Sequence, residues 1–197
     1  MKRIIFFLGV IFFSSLYFYG YRIGQTEQLT KLSEDYSDAD KQKKAVIDLN
    51  NIAVCLTDYI TDGKVLPKQD GPITEDSELF KSLVPYIPEG KNIPIKDPWG
   101  NDYLIYCGTA ATGKYGISGC VSDDFLIISY GADGKKEKWL YNPSNRESGL
   151  FDIKSSSDYA KDLVDFNGNF IRAPKNYESW LDEADENETR ISESHYK

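Results

Sequence analysis

The chain has 197 residues, enough for one membrane segment and one globular domain with a substantial core, and too few for a second enzyme-sized domain. Its formal net charge is −8, and Lys2, Arg3 and Arg22 are the only charges among the first 25 residues, so the remainder carries −8 less +3, or −11. A domain this acidic repels nucleic acid and anionic lipid, and the single histidine, His195, leaves no imidazole cluster for catalysis or metal binding.

Residues 4-IIFFLGVIFFSSLYFYG-20 are uncharged, apolar and preceded by Lys2 and Arg3, close to the ~17-residue lower limit of a spanning helix. Tyr17, Phe18, Tyr19 and Tyr21 resemble an interfacial aromatic belt, which favours a retained anchor over residues 1–24 rather than a cleaved signal peptide. The basic amino end stays cytoplasmic, and everything after Gly24 faces the opposite, oxidising side. A polar neck, 25–44, leads into apolar positions at Val46, Leu49, Ile52, Ala53, Leu56, Tyr59 and Ile60, whose spacing of three and four predicts a helix. Ser37 could cap a new helix within the neck, with Asp40 as a short capping-box acid. Gly63 predicts the carboxyl-terminal cap.

Between Lys64 and Pro98 the prolines forbid a long regular element, and only Ser77–Leu83 reads as a short helix. Strand-like runs follow at Tyr103–Tyr106, Phe125–Ser129, Leu150–Ile153 and within 162–172, where Asn167-Gly168 between alternating runs is a hairpin signal. The prediction is an α+β domain over 45–174, with a long amino-terminal helix packed on a small antiparallel β-sheet. The acidic tail, 175–197, starts as a helix near Trp180 and Leu181 and then reads as disordered. Asn187-Glu188-Thr189 fits a glycosylation sequon, a pattern common by chance.

Cys107 and Cys120 bracket a small-residue loop that a disulfide could staple for roughly 2–4 kcal/mol, with two free thiols as the alternative. Cys55 is expected to be a buried small hydrophobe.

The turn Asp97-Pro98-Trp99-Gly100-Asn101, followed by Tyr103, and the later stretch Ser129-Tyr130-Gly131-Ala132-Asp133-Gly134 resemble the major pseudopilin of type II secretion, the G-type subunit of the general secretion pathway. Tyr59, Gly63, Leu66 and Pro67 add to the likeness, which covers roughly 45–153. It implies an inner-membrane protein with a periplasmic domain, and as partners other pseudopilin or secretion-assembly subunits, or one unknown periplasmic protein. It also implies calcium, with Asp133 and Asp152 as carboxylate ligands and Tyr130 and Lys135 as carbonyl donors. Calcium takes about six to eight hard oxygens, which is why acids and tight turns recur together.

Two features depart from the family. Its precursors carry a basic leader ending in glycine, then a phenylalanine and, five residues into the mature chain, a glutamate; here Arg3 runs into Ile4, Gly9 lies inside the apolar run, and the first acid is Glu27. The segment 135-KKEKWLYNPSNRESGL-150 also replaces a short glycine-rich link between the two acids. A pseudopilin-like domain on an ordinary signal anchor is therefore expected, as part of an assembly or as an anchored binding or inhibitory module.

No nucleophile elbow, phosphate loop, zinc pattern or dinucleotide fingerprint is present. Asp123 and Asp124 are adjacent, so on a strand they would face opposite sides, and a non-enzymatic protein is expected.

Overall fold

The computed structural model describes residues 37–88 and 91–194, with side chains to residue 187. The expected anchor and the first part of the neck lie outside them. Among the described residues no helix is long and apolar enough to cross a membrane.

Helix α1, Asp38–Thr61, buries Ala45, Val46, Leu49, Ile52, Ala53 and Leu56 along one stripe, with Gln42 and Asp48 as polar members. The helix runs unbroken across Lys44, so the end of the polar neck and the start of the apolar stripe share one element. It closes as the sequence predicts: Gly63 sits at φ +73°, its N–H reaches Ile60 O at 2.8 Å, and Lys64 N–H reaches Tyr59 O at 3.3 Å. That pair of bonds is a Schellman closure, which needs a left-handed residue at this position. Helix α2, Glu78–Leu83, is capped by the Ser77 hydroxyl, which accepts from Phe80 N–H at 3.1 Å.

Six strands form one sheet in the order β1-β2-β3-β5-β6-β4. Strands β2 (Leu104–Cys107), β3 (Phe125–Ser129), β5 (Leu163–Phe166) and β6 (Asn169–Pro174) follow the expected runs. Strand β1 (Asp70–Pro72) lies inside the proline-rich segment and pairs antiparallel with β2, Gly71 opposite Ile105. Proline is tolerated there because β1 is an edge strand, whose outer N–H groups need no ladder partner.

The sheet is mixed, not purely antiparallel. Strand β4 (Leu150–Phe151) runs parallel to β6, with Leu150 opposite Ala173. The chain arrives there by the long connection after β3, and Gly149 seats the strand: a Cβ at this position would lie 1.8 Å from Ile171 O. The β5–β6 hairpin turns through Asn167 and Gly168, both at positive φ, as the dipeptide predicts.

Strand β3 is buried at every position because both faces of the sheet are covered. On one face α1 packs over Ile105, Cys107, Phe125, Ile127 and Leu163. On the other, Ala111, Tyr115, Ile117 and Cys120 from the loop after β2 cover Leu126, Ile128, Val164 and Ile171, with Trp139 and Tyr141 at the margin.

The tail starts as the expected helix and departs from expectation only in continuing as one. Helix α3 spans Tyr177–Ser194, and Tyr177, Trp180 and Leu181, spaced three and one apart, pack against the helix-side core. Lys43 of α1 pairs with Glu183. The apolar anchors and this cross-helix pair hold an acidic segment that composition alone assigns to disorder.

Candidate functional site

The two turns that carry the resemblance meet in space. Asp97 is 4% exposed, and its Oδ1 accepts from Trp99 N–H at 3.1 Å and Asn101 N–H at 2.8 Å. Its Oδ2 accepts from Ser129 Oγ at 2.8 Å and from Asn101 Nδ2 at 3.4 Å, so four donors satisfy one buried carboxylate. Asn101 Nδ2 also donates to Gly131 O at 2.9 Å, and Ser129 Oγ accepts from Gly131 N–H at 3.2 Å. Asp97 thus fastens the end of β3 to the turn before β2.

Glycine is required on the receiving side. A Cβ on Gly131 would lie 2.6 Å from Tyr159 O and 2.7 Å from Lys161 O, both backbone atoms, at φ +64°. Gly134 packs against Asn101, where a Cβ would lie 2.6 Å from Oδ1. Trp99 is half-buried against the helix-side core, and its Nε1 donates to Asp38 Oδ1 at 3.1 Å at the start of α1. The first turn therefore acts architecturally, joining helix, sheet and second turn. Nearby, Tyr103 donates to Asp48 Oδ2 at 3.1 Å; burial raises the carboxyl's pKa and, with the charge of Asp48, lifts the phenol's well above its ordinary value.

Of the four residues expected around calcium, the two carboxylates make other contacts. Asp133 is exposed, and its Oδ1 accepts from Lys135 N–H at 2.9 Å in a local turn. Asp152 is exposed and accepts from Lys175 Nζ at 3.1 Å, with Lys154 Nζ at 3.8 Å. Tyr130 is half-buried, and burial lifts its hydroxyl to about 12. The strands that lead into Asp133 and Asp152 are separated in the sheet by β5 and β6. Calcium coordination by this set would have to displace two ammonium groups and close that gap. Among the described residues no three His, Cys, Asp or Glu side chains cluster as a metal set.

The Cys107–Cys120 cross-link is not formed; Cys55, Cys107 and Cys120 are all buried thiols. Strand alternation explains the separation. Cys107 shares the helix-side face with Ile105, whereas Cys120 belongs to the core on the opposite face. Cys55 is the small buried residue expected, its thiol donating to Tyr86 O at 3.4 Å. Burial pushes the Cys107 thiol up to about 12, which suppresses the reactive thiolate.

A second polar constellation was not legible in the sequence. Asp162 is fully buried; its Oδ2 accepts from Tyr115 Oη and from Glu137 N–H at 2.9 Å, while Oδ1 has no partner among the described residues. Burial raises its carboxyl to about 6. Arg172, 7% exposed, grips Glu137 in a fork, Nε to Oε2 at 3.0 Å and an Nη to Oε1 at 2.7 Å, and donates to Gly149 O at 3.0 Å. Its guanidinium lies 4.8 Å from the Phe151 ring and 5.4 Å from the Trp139 ring. The segment 135–150, an insertion by the standard of the resemblance, is thereby pinned to the sheet.

Comparison with protein-family models, with curated proteins and with solved structures found no match for this chain.

Proposed function

We propose that this protein is a non-enzymatic, membrane-anchored, pseudopilin-like component of a type II secretion or pilus-like assembly. Residues 1–24 would hold it in the bacterial inner membrane with its folded domain in the periplasm. The observation that carries the reading is the lock centred on Asp97. The residues of the two turns that resemble the pseudopilin pattern, Asp97, Asn101, Ser129 and Gly131, form one hydrogen-bonded unit, and Trp99 ties that unit to the start of α1. This unit joins the start of α1 to the sheet, which suits the domain of an assembly subunit.

Photo-crosslinkers placed in the neck, at Gln28 and Ser33, test the reading in cells. Ladders of self-adducts support assembly; one heterologous adduct alone refutes self-assembly and identifies a dedicated partner. Intact mass adds an independent check, since a chain retaining residues 1–24 requires the anchor, and loss of that segment removes it.

A second reading, an anchored binding module that reuses the fold, is favoured by one observation, a cleft at the tip of the β5–β6 hairpin.

A further inference from the structure

We propose that the cleft at the β5–β6 hairpin tip is a saccharide site that takes a short, neutral oligosaccharide. This deepens the binding-module reading and is independent of whether the chain polymerises. The cleft has a volume of about 390 Å³ and lies between the hairpin, the start of α3 and the loop before β4. That volume falls within the roughly 300–1,000 Å³ of small-molecule sites.

Its walls carry four half-buried aromatic rings, Tyr141, Phe166, Phe170 and Tyr177, which keep part of their surface in the cleft. Phe170 and Tyr177 stand 5.0 Å apart between centroids, with their planes tilted by 49°. Between the rings sit charged groups with nothing to bind. Arg146 and Glu147 are exposed and make no side-chain hydrogen bond or ion pair among the described residues, although they are neighbours in sequence and line the same space. Glu178 supplies a further carboxylate, one oxygen of which accepts from Tyr177 Oη at 3.1 Å.

This mixture selects a ligand class. The three charges sum to −2 plus +1, or −1, which disfavours an anion, and a ligand that meets both carboxylate and guanidinium must both donate and accept hydrogen bonds. A wholly apolar ligand would cover the charged groups without pairing them, which is unfavourable. A sugar fits both features. Its hydroxyls donate to carboxylates and accept from a guanidinium, and the C–H face of a pyranose lies flat on an aromatic ring.

The cleft is also fixed before any ligand arrives. Asn167 Oδ1 accepts from Phe125 N–H at 2.7 Å and its Nδ2 donates to Asp124 Oδ1 at 2.7 Å, which clamps the hairpin tip to the rest of the sheet. On the far wall, Arg172 holds Gly149 O at 3.0 Å, and Gly149 abuts Ile171. A hairpin tip held in this way reduces the ordering cost of binding on that wall.

The test titrates the detergent-solubilised full chain with cellohexaose, maltohexaose and chitohexaose by calorimetry. The expected result is saturable binding of at least one sugar at millimolar concentration, weakened roughly tenfold by Arg146→Ala and by Glu147→Ala with the melting midpoint unchanged. Failure of all three sugars to saturate overturns the proposal. So does binding that both variants leave intact, or hexaglutamate binding more tightly than any sugar.

Discussion

Asp165 offers the sharpest test of the packing. It lies on β5 facing the helix side, 1% exposed, and its Oδ1 accepts from Gly168 N–H at 2.8 Å. Burial raises its carboxyl to about 7 against 3.8 for the exposed group, and the hydrogen bond from Gly168 offsets only part of that. The unfolded chain therefore releases this proton far more readily than the folded one. A carboxyl whose folded pKa is raised contributes stability that is fully present below about 3.8 and is lost as pH rises through about 7. Three pK units at 1.36 kcal/mol each give a loss of about 4 kcal/mol by pH 8, of which roughly 2–3 kcal/mol is recovered at pH 5.

Asp165→Asn keeps an oxygen for Gly168 N–H and removes the charge. The variant is expected to be more stable than the parent by a few kcal/mol at pH 8, with the difference shrinking toward zero at pH 4. Urea denaturation monitored by tryptophan fluorescence at pH 4, 5, 6, 7 and 8 measures it, and taking variant minus parent cancels the titrations common to both. Asp162, raised to about 6, adds a slope of the same sign in both proteins. A difference that is flat across the range, or a variant less stable than the parent at pH 8, refutes the argument from burial.

The Asp97 lock predicts that Asn101→Ala, which removes donors to Asp97 and Gly131, costs about 1–3 kcal/mol in denaturant unfolding. Gly131→Ala should cost more, because its methyl would meet backbone oxygens that cannot step aside; equal midpoints for parent and variant would contradict the packing. Trp99→Ala should lose roughly 2 kcal/mol, below the range for a fully buried ring, since Trp99 is half-buried. Arg172→Ala should lose about 1–3 kcal/mol by leaving the partly exposed Glu137 without its fork and Gly149 O without its donor, and a near-neutral outcome would mean the 135–150 segment is not pinned. For the thiols, a chromogenic disulfide reagent should titrate three groups in denaturant and react slowly with the native protein; one reactive thiol in the denatured chain would restore the Cys107–Cys120 bond. Calcium should leave the melting midpoint where chelator does, whereas a rise abolished by Asp133→Asn would put the ion at that turn.

Local signals were legible where local chemistry decides the outcome. Gly63, Ser77 and Asn167-Gly168 each carry their own conformational reason, and α1 closes, α2 starts and the hairpin turns at those residues. The run Phe125–Ser129 likewise reads as a strand, and β3 forms there. Strand β1 escaped because Gly71 and Pro72 are strand breakers by composition, and only the partner β2 makes an edge strand of them. The helical start of the tail was legible at Trp180 and Leu181, but its continuation to Ser194 was not, because the acidic composition beyond them reads as disorder.

Polar networks were the least legible features, because their partners are far apart in the chain. Nothing local distinguishes Asp97, with its four donors, from Asp133, which serves its own turn; the difference is Ser129, 32 positions away. The same holds for Asp162, whose partners Tyr115 and Glu137 lie 47 and 25 positions upstream. The resemblance points to a metal at Asp133, whereas the carboxylates the fold buries lie elsewhere. Asp97 fastens two turns and Asp162 anchors the segment behind them. The acid left facing solvent at the second turn is the one whose removal should change the fold least, so a strong effect of Asp133→Asn on assembly with no change in stability would locate a contact surface there.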